Sequence, residues 1–548
     1  MSDPRTLTFV DGLTPSDLGL SEKFPGWRDG QLKAIDRSLT SDRRFISHAM
    51  PTGSGKSVTY IAEALYRGCR AVVLTSTKGL QDQLLTDFSP SGLVSVKGKG
   101  NFLCRSGRGW TCEEGSHAAC SSFSTDSGQC PYKAQYNAAL NSKLVVTNYA
   151  YWTAIHKYGE GLGDFDLLIL DEAHDCPDEV CSINTVELSS HDVLGMLRGS
   201  WPKQPLYVAG WATWARTLLP RATELSNKFQ GAARIARDLP SIRDAVRARN
   251  IVTKLTTLSS LTGDWVVEPV VKNRGTNDEG TDGWRIEPIW PAQFAEKSLF
   301  RGIKKVVLVS ATLSRATLRL LGVQAGTYDH YEYPSQFPAE RSPVYSIPTV
   351  KLNYKSDAAD YFLLCERLDE IIAGRLDRKG IIHTTSYDRA QKIINGSKYS
   401  AYMLTHSNRP GEAMSASHRF RSMTAPSILV SPSMSTGYDF PSSTCEYQII
   451  VKAPYPDLRS KVMQRRMEVD RQYPAYQMAL TLVQACGRGM RSKTDQCETF
   501  LLDDVISGVV KRSSDLFPQW WKKLYREVPE VPKAPPPING TDSEHSRP

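Results

Sequence analysis

Short runs of apolar residues, each followed by a polar or charged residue, recur in both halves of the chain. The runs in the first half are Phe45-Ile46, Ala71-Val-Val-Leu74, Leu144-Val-Val-Thr147, Asp166-Leu-Leu-Ile-Leu170 and Lys305-Val-Val-Leu-Val309. Those in the second half are Gly380-Ile-Ile-His-Thr-Thr-Ser386, Ser427-Ile-Leu-Val430 and Gln448-Ile-Ile-Val451. Uninterrupted apolar runs are typical of strands that a parallel sheet buries on both faces. Stretches with helical spacing, such as Val58 to Leu65, lie between them, so the pattern predicts an α/β protein.

The region between residues 176 and 300 lacks such runs and is predicted to be an insertion. Its first part is predicted to be helical and is basic, with Arg216, Arg221, Lys228, Arg234, Arg237, Arg243, Arg247 and Arg249. We interpret most of these side chains as a solvated helix face. Residues 273–283 are rich in Asn, Asp, Thr and Gly, which predicts an exposed hairpin or loop. A later segment rich in Tyr and Pro, from Tyr328 to Tyr354, is predicted to connect the two halves.

Length and composition limit the class of protein. A chain of 548 residues is too long for one core and predicts about three or four domains. No basic and apolar leader begins it, and no stretch approaches about eighteen apolar residues, so we expect a cytosolic protein without a membrane segment. The formal charge of +9 is compatible with a polyanionic partner but does not decide the question. From Val528 the chain is Pro-rich and then polar, which predicts a disordered tail.

The stretch Pro51-Thr-Gly-Ser-Gly-Lys-Ser57 lies between a predicted strand and a predicted helix, as a phosphate-binding loop does. Its glycines allow backbone N–H groups to face the phosphates at the positive end of the helix. Lys56 is expected to reach the β- and γ-phosphates of ATP, and Ser57 to bind Mg²⁺. The remaining predicted phosphate contacts are Thr52, Gly53, Ser54 and Gly55.

A pair of acidic residues follows the strand that ends at Leu170, in Asp171-Glu-Ala-His174. One carboxylate at a strand end can hold Mg²⁺ through water, and its neighbour can orient the water that attacks the γ-phosphate. Asp171 and Glu172 are assigned these roles in that order. Upstream of the phosphate loop, Arg28 and Gln31 have two interpretations: they hydrogen-bond an adenine ring, or they belong to an amphipathic segment that caps a helix.

Four cysteines lie between the phosphate loop and the acidic pair: Cys104, Cys112, Cys120 and Cys130. The residues between them are too polar to bury a core, so another interaction must order this segment. Four thiolates fit a tetrahedral zinc ion or a [4Fe-4S] cluster, and the spacing does not choose between them. His117 is an alternative to one of the four ligands. We interpret most of the other cysteines as small buried hydrophobic residues.

Polar residues at further strand ends complete the candidate site. Thr75, Thr77 and Asn148 each follow a predicted strand, where they can hold the phosphate backbone of a nucleic acid without reading its bases. In Gln484-Ala-Cys-Gly-Arg-Gly-Met-Arg491, two arginines three apart share one helix face. We expect Arg488 and Arg491, with Gln484, to face the nucleotide across a cleft, where an arginine that stabilises the transferring phosphoryl group is worth about 10³ to 10⁵ in rate.

In this order, the motifs resemble those of the XPD/DinG family of superfamily 2 helicases. The resemblance rests on Thr52–Ser57, on Thr75-Ser-Thr77 with the Leu-Gln-x-Gln-Leu that follows, and on four cysteines before Asp171-Glu-Ala-His174. Asn101-Phe-Leu-Cys104 and Cys130-Pro-Tyr132 add to it. The resemblance extends from Arg28 to Asp504. It implies two RecA-like P-loop domains whose cleft binds ATP and Mg²⁺, with a [4Fe-4S] cluster insertion and a mainly helical arch insertion in the first.

The resemblance also divides the chain. The implied segments are 1–99, 134–175 and 301–327 for the first RecA-like domain, 100–133 for the cluster domain, 176–300 for the arch, 328–527 for the second RecA-like domain and 528–548 for the tail. In the family, Gly437 and Asp439 belong to a nucleotide-binding motif, in which Thr436 replaces the usual Glu here. Ser310-Ala-Thr312 matches the motif that links ATP hydrolysis to strand movement, and we expect its hydroxyls to bond the acidic pair.

The implied activity is that of an ATP-dependent DNA helicase, a monomer that travels 5′ to 3′ on single-stranded DNA and acts at DNA junctions and in DNA repair. The implied setting is the cytoplasm of a bacterial or phage-infected cell. One alternative is an ATPase switch that remodels protein–DNA complexes without unwinding, although intact Glu172, Arg488 and Arg491 argue against an inactive switch. Another is a nuclease-helicase, for which the segment before Pro51 is too short to form the nuclease domain.

Overall fold

The computed structural model describes two α/β domains and an insertion in the first of them. The described residues are 9–105, 109–118, 120, 130–202, 207–271, 281–409, 411–434, 440, 444–487, 489–490 and 494–536. The helices of the first domain and its insertion are α1 (Gln31–Thr40), α2 (Lys56–Arg67), α3 (Lys78–Phe88), α4 (Cys112–His117), α5 (Pro131–Asn141), α6 (Tyr149–Tyr158), α7 (Cys176–Asn184), α8 (Val208–Ala236), α9 (Leu239–Ser259), α10 (Ala292–Ala295) and α11 (Arg315–Leu320). Within these ranges, no helix combines the length and the apolar character needed to cross a bilayer.

A parallel sheet forms the core of the first domain. Its strands in the described residues are β1 (Phe45–Ala49), β2 (Ala71–Thr75), β3 (Leu93–Ser95), β4 (Leu144–Asn148), β5 (Leu167–Asp171), β9 (Lys305–Ser310) and β10 (Tyr328–Glu332). They lie in the order β10-β1-β9-β5-β2-β4-β3. Every residue of β1, β2, β4 and β5 is buried, as the apolar runs predict. Because β9 lies between β1 and β5, the segments that follow these three strands meet at one edge of the sheet.

The second domain repeats this architecture. Its strands in the described residues are β11 (Val344–Val350), β12 (Lys379–His383), β13 (Met403–Leu404), β14 (Ser427–Ser431), β15 (Tyr447–Ile450), β16 (Glu498–Asp503) and β17 (Tyr525–Glu527). They are all parallel, in the order β13-β14-β12-β15-β16-β11-β17. The accompanying helices are α12 (Ala358–Ala373), α13 (Tyr387–Gly396), α14 (Glu412–Ser422), α15 (Lys461–Val469), α16 (Tyr473–Cys486), α17 (Asp504–Arg512) and α18 (Gln519–Lys522).

The insertion combines two long helices with a small antiparallel sheet. Helices α8 and α9 pack along each other, and Asp238 caps the start of α9, since its carboxylate accepts from the N–H of Ser241 at 2.8 Å. The sheet contains β6 (Val186–Ser189), β7 (Trp265–Val271) and β8 (Thr281–Pro288) in the order β6-β8-β7. The pairing of β7 with β8 confirms a hairpin where the sequence predicts a hairpin or loop, although its tip lies outside the described residues.

The predicted connector between the domains contains a strand of each sheet. β10 pairs with β1, and β11 pairs with β16, so the first domain continues past residue 327, where the sequence analysis ends it. β10 forms the edge of its sheet and is only half-buried. An edge strand with one open side does not need an apolar run, which is why the hydrophobic pattern misses it.

The segment that follows β17 packs against the second domain, contrary to the prediction of a tail disordered from residue 528. The N–H of Val528 donates to the carbonyl of Ser346 at 3.0 Å. Arg375 donates to the carbonyl of Pro532 at 3.1 Å, and Arg378 donates to that of Pro535 at 2.9 Å. Prolines lack N–H donors, but the carbonyls of this Pro-rich segment accept hydrogen bonds from these arginines, so composition alone underestimates its order. Residues 537–548 lie outside the described part of the chain.

A buried arginine joins the second domain to the base of the insertion. Arg466 of α15 donates to the carbonyl of Ile289 at 2.7 Å, to the hydroxyl of Tyr473 at 2.9 Å and to Sγ of Cys181 at 3.3 Å. An apolar cluster nearby includes Leu320 of the first domain with Met463, Tyr473, Tyr476 and Leu480 of the second. These contacts hold the domains together on the side of the cleft next to the insertion.

Arg375→Met should destabilise the second domain. The Arg375 guanidinium makes two hydrogen bonds of 2.7 and 2.8 Å with Glu498, and both side chains are 1% exposed. Removing one partner leaves a buried unpaired charge, which costs about 3–5 kcal/mol. For a domain of this size, the melting temperature should fall by about 6–20 °C, which thermal unfolding followed by circular dichroism measures.

The matched control is Arg367→Met, because Arg367 makes an exposed ion pair with Glu370 that is worth less than about 1 kcal/mol. The double variant Arg375→Met with Glu498→Met should recover most of the lost stability, since it leaves no unpaired charge. Equal shifts for the two single variants would contradict the assigned importance of the buried pair.

Candidate active site

The phosphate loop follows β1 at the carboxyl edge of the first sheet. It turns at Gly53 and Gly55, whose φ angles of 76° and 73° lie in the left-handed region that favours glycine. α2 begins at Lys56, so the positive end of its dipole faces the loop. Within the described residues, the buried Ser54 hydroxyl has no hydrogen-bond partner. Because a buried unpaired hydroxyl is costly and a phosphate oxygen would accept from it, the loop fits a phosphate ligand.

Arg28 and Gln31 brace this loop from beneath. Gln31 Nε2 donates to the carbonyls of Ser54 at 3.1 Å and Gly55 at 3.0 Å, and its Oε1 accepts from the N–H of Arg28 at 2.7 Å. Arg28 Nη1 donates to the carbonyl of Gly53 at 2.6 Å. Both amide hydrogens of Gln31 are thus used on the loop, so the adenine contact proposed for Gln31 lacks a donor in this structure. Gln31 instead fixes the shape of the loop, whereas Arg28 is exposed.

The aromatic ring of Phe337 packs against the loop from the second domain, a contact that the sequence does not predict. A Cβ placed on Gly53 would clash with Cζ of Phe337, so glycine fits beneath the ring without displacing it. Phe337 also packs on an apolar cluster of the second domain that includes Phe420 and Phe440. No motif marks Phe337, because a single aromatic residue in a Pro-rich segment carries no distinctive pattern.

The predicted acidic pair ends β5 and faces the phosphate loop. Glu172 has φ 49°, a left-handed conformation uncommon outside glycine, which is found at functional sites. Its carboxylate lies 3.4 Å from Lys56 Nζ. Asp171 is buried, and this burial, followed by the neighbouring charge of Glu172, raises the pKa of Asp171 to about 7. A bound cation would favour its charged form, so the residue fits the Mg²⁺ role that the sequence predicts.

A chain of polar contacts runs from this pair to the second domain. Ser310 Oγ donates to Glu172 Oε2 at 3.3 Å and lies 2.6 Å from His174 Nδ1, as expected for the hydroxyl of the Ser310-Ala-Thr312 motif. His174 Nε2 contacts Gln484 Nε2 of α16 and lies 3.0 Å from Asp175. Although burial acts against it, the carboxylate of Asp175 raises the pKa of His174. The contacts therefore connect Lys56 to Gln484 across the cleft.

Most of the other site residues predicted in the second domain lie beyond the end of α16 or outside the described part of the chain. α16 ends at Cys486, two positions before Arg488, so the described helix does not extend to the two arginines that the sequence analysis assigns to one helix face. Arg488, Arg491, Gly437 and Asp439 lie outside the described residues. The segment after α16 does approach the phosphate loop, since a Cβ on Gly487 would lie 2.8 Å from Thr52 Oγ1.

The four predicted cysteine ligands lie close together in the first domain. Their sulfurs form two pairs, with Cys104 and Cys120 at 3.4 Å and Cys112 and Cys130 at 3.9 Å. Both distances far exceed a disulfide bond of about 2.05 Å, and the four are free thiols. Among the residues described, no three or more histidine, cysteine or acidic side chains already have the arrangement of a metal site.

The donor chemistry nevertheless fits a metal group. Burial raises the pKa of Cys112 to about 11, and a metal cation would stabilise the thiolate that burial disfavours. Gly115 allows the sulfurs to approach, because a Cβ there would lie 2.5 Å from Cys104 Sγ. His117, the alternative ligand, is engaged elsewhere: its Nδ1 lies 2.7 Å from Oε1 of Gln230 in α8, and Gln230 Nε2 donates to the His117 carbonyl at 2.6 Å.

The three predicted nucleic-acid contacts have different exposures. Thr75 is fully buried and donates to the carbonyl of Thr77 at 3.1 Å, while Asn148 is largely buried and accepts from the N–H of Tyr151 at 2.9 Å. Thr77 is exposed and caps α3 by accepting from the N–H of Leu80 at 3.2 Å. The hydrogen bonds of Thr75 and Asn148 shape the two turns, and phosphate contact by Thr75, Thr77 and Asn148 stays a prediction, with Thr77 the most exposed of the three.

Two protein-family models match the chain. The model described as "Helicase C-terminal domain" matches residues 372–524, most of the second domain. The model described as "Type III restriction enzyme, res subunit" matches residues 25–196, which include the phosphate loop and the acidic pair. Each model thus matches one of the two halves between which the polar contacts run.

Two relatives are similar over part of the chain. The ATP-dependent DNA helicase YoaA of Escherichia coli is 25% identical over an alignment that covers 34% of this chain and 40% of the relative. The ATP-dependent DNA helicase YoaA of Haemophilus influenzae is 27% identical over 29% of this chain and 35% of the relative. The matched part therefore spans less than half the length of either relative.

Solved XPD structures share the fold over most of the chain. One XPD helicase superposes with a TM-score of 0.61 at 16% identity, covering 91% of this chain and 99% of that one. Xpd4 of S. tokodaii superposes with a TM-score of 0.54 at 14% identity, covering 91% and 100%. These likenesses confirm the two predicted RecA-like domains. Together with the family-model matches and the YoaA relatives, they support the predicted resemblance to an XPD/DinG-like helicase of superfamily 2.

Proposed function

We propose that this chain is an ATP-dependent DNA helicase that moves along single-stranded DNA and separates duplexes. The observation that carries the proposal is the polar connection from Lys56 through Glu172, Ser310 and His174 to Gln484. It joins the phosphate loop of the first domain to the second domain. A change in the contacts of the γ-phosphate would therefore alter the contacts of Gln484 on the other side of the cleft. Such a connection is required for converting hydrolysis into domain movement.

In this proposal, each residue of the ATP site has a separate role in hydrolysis. Lys56 binds the β- and γ-phosphates, and Glu172 takes a proton from the attacking water while Ser310 holds its carboxylate. Mg²⁺, held by Ser57 and through water by Asp171, would neutralise charge on the phosphates. Arg488 and Arg491 are proposed to approach the γ-phosphate from the second domain, and Gly437 and Asp439 to contact the nucleotide.

Two similar turns, one in each domain, support binding to a phosphate backbone. After β2, Thr75 donates to the carbonyl of Thr77 at 3.1 Å and Thr77 caps a helix; after β12, Thr384 donates to the carbonyl of Ser386 at 3.1 Å and Ser386 caps the next helix. Between the latter pair, Thr385 has φ 63°, a strained conformation for a β-branched residue. Exposed hydroxyls in both turns would hold successive phosphates, and domain movement would change their separation.

An open cleft beside the cysteine segment supports passage of a single strand. It lies against α9, has a volume of about 790 Å³ and is lined by Arg243, Arg247, Lys254, Glu113, Glu114 and Asp192. Arg247 and Lys254 are paired with Asp192 at 2.8 and 3.6 Å, whereas Arg243 lies 3.9 Å from Glu114 and is 68% exposed. Attraction for phosphate is therefore partly offset, which suits weak, salt-sensitive and sequence-tolerant contact with a moving strand.

The remaining details of the proposal come from the resemblance to the XPD/DinG family. We propose 5′ to 3′ movement, action at DNA junctions in DNA repair as a monomer, a cytoplasmic setting in a bacterial or phage-infected cell, and a [4Fe-4S] cluster held by Cys104, Cys112, Cys120 and Cys130. The cluster would supply a rigid core to the polar segment between Cys104 and Cys130, which contains few apolar residues.

Lys56→Ala should abolish ATP turnover and leave DNA binding unchanged. The variant loses the cation that faces the phosphates, and loss of such a stabilising group costs about 10² to 10³ in turnover number. Phosphate release and binding to a labelled oligonucleotide measure the two effects. Lys33→Ala, at an exposed position of α1, controls for the lost charge. Retained DNA-stimulated turnover in Lys56→Ala would overturn the assignment of the loop.

Glu172→Gln should retain ATP binding but stop hydrolysis. The amide keeps the size of the side chain and cannot accept the proton of water, so turnover should fall by about 10² to 10⁴. Equilibrium binding of a fluorescent ATP analogue and single-turnover hydrolysis separate the two steps. Glu160→Gln, at an exposed position after α6, is the control. Wild-type hydrolysis by the Glu172 variant would remove this residue from the role of base.

Cys112→Ser should lose the bound metal and duplex unwinding while keeping part of the ATPase activity. Protein purified without oxygen should contain about four irons with matching sulfide per chain, as a four-thiolate cluster does. Metal analysis and visible absorption measure this, and Cys69→Ser, whose thiol belongs to neither sulfur pair, should keep the metal. One zinc, or no metal, would contradict the cluster and favour an ATPase switch that remodels protein–DNA complexes.

A further inference from the structure

The turn that follows β9 receives a hydrogen bond from the far end of the second domain. Trp520 of α18 donates from its indole Nε1 to the carbonyl of Ala311 at 3.2 Å. Both residues are buried. Since α18 belongs to the second domain and Ala311 to the first, the contact crosses the cleft. It joins two residues that are more than 200 positions apart in the chain.

The position of Ala311 gives this hydrogen bond a connection to catalysis. Ala311 separates Ser310, whose hydroxyl bonds Glu172 at 3.3 Å and His174 at 2.6 Å, from Thr312, whose N–H donates back to Ser310 Oγ at 3.2 Å. The backbone of this short turn therefore fixes where the Ser310 hydroxyl lies. A buried carbonyl in a turn needs a donor, and here the second domain supplies it.

The indole is held firmly by its own domain. Trp520 packs in the apolar cluster around α16, α17 and α18. The next residue, Trp521, stacks between Phe517 at 4.8 Å and Tyr525 at 5.3 Å between ring centroids. The helix that carries Trp520 is thus fixed to the domain core, so the indole moves with the whole second domain and not as a free side chain.

We propose that Trp520 is a positioning residue that couples the placement of the second domain to the orientation of Glu172. With the domains together, its N–H satisfies the Ala311 carbonyl and the turn holds Ser310 against Glu172. When the second domain moves away, the carbonyl loses its donor, the turn relaxes and Ser310 no longer fixes the carboxylate. Hydrolysis is then restricted to the closed cleft. This inference rests on the proposed function, because it assigns regulation to the same ATPase site.

The test is Trp520→Phe, which keeps most of the apolar contact but removes the N–H donor. One neutral hydrogen bond corresponds to about a 5- to 10-fold effect, so the DNA-stimulated turnover number should fall by about this factor. The KM for ATP should stay within about twofold, since nucleotide binding uses other residues. A merely structural role for Trp520 would change both constants or neither.

The matched control is Trp521→Phe. It makes the same substitution at a fully buried neighbour whose ring contacts lie within the second domain. Trp521→Phe should lower thermal stability, while the turnover number and the KM for ATP either both change or both stay the same. If both variants lose turnover equally, or if Trp520→Phe has wild-type turnover, the proposal is overturned.

A second measurement does not depend on ATP turnover. Amide hydrogen exchange at Thr312 and its neighbours should become faster in Trp520→Phe than in the wild type without nucleotide, and should stay unchanged in Trp521→Phe. Faster exchange in an otherwise inactive protein would support the contact while contradicting the proposed function. Unchanged exchange in Trp520→Phe would contradict the coupling role even if the wild type hydrolyses ATP.

Discussion

Placing two adjacent carboxylates at the end of a buried strand is the constraint on which the structure depends. Asp171 is buried at the edge of the core, and this burial, followed by the charge of the adjacent Glu172, raises its pKa and so the cost of ionising it. The ammonium group of Lys56 offsets the negative charge of Glu172 on one side, and the hydroxyl of Ser310 donates a hydrogen bond to the same carboxylate on the other. The order of strands makes this possible, because β9 lies between β1 and β5 and brings all three segments to one edge.

The same constraint explains why the site requires both domains. The phosphate loop is shaped by Gln31 and Arg28 beneath it, but its outer surface is covered by Phe337 of the second domain. His174 likewise reaches Gln484 across the cleft. Neither domain alone therefore fixes both the loop and the acidic pair. The geometry of a site assembled in this way depends on the distance between the domains, as the proposed motor activity requires.

Burial and one-sided exposure explain which parts of the structure the sequence predicts. Central strands such as Ala71–Thr75 are recognisable because both faces are buried, and the phosphate loop and acidic pair are recognisable because their chemistry demands fixed residue types. The edge strand Tyr328–Glu332 has no such requirement, and the order of residues 528–536 depends on two distant arginines. The loop-bracing role of Gln31 depends on tertiary contacts that no local pattern records.

The cysteine segment and the insertion form one connected unit on the side of the first domain. His117 and Gln230 exchange two hydrogen bonds, and Arg243 approaches Glu114, so α4 is tied to both long helices of the insertion. Cys112 at the start of α4 pairs with Cys130 at 3.9 Å, and Cys104 before the helix pairs with Cys120 after it at 3.4 Å. Drawing these sulfurs around a metal group would therefore fix not only a polar segment but also the wall of the cleft along α9. If the proposed metal group binds there, this connection would couple metal binding to the width of the proposed DNA path.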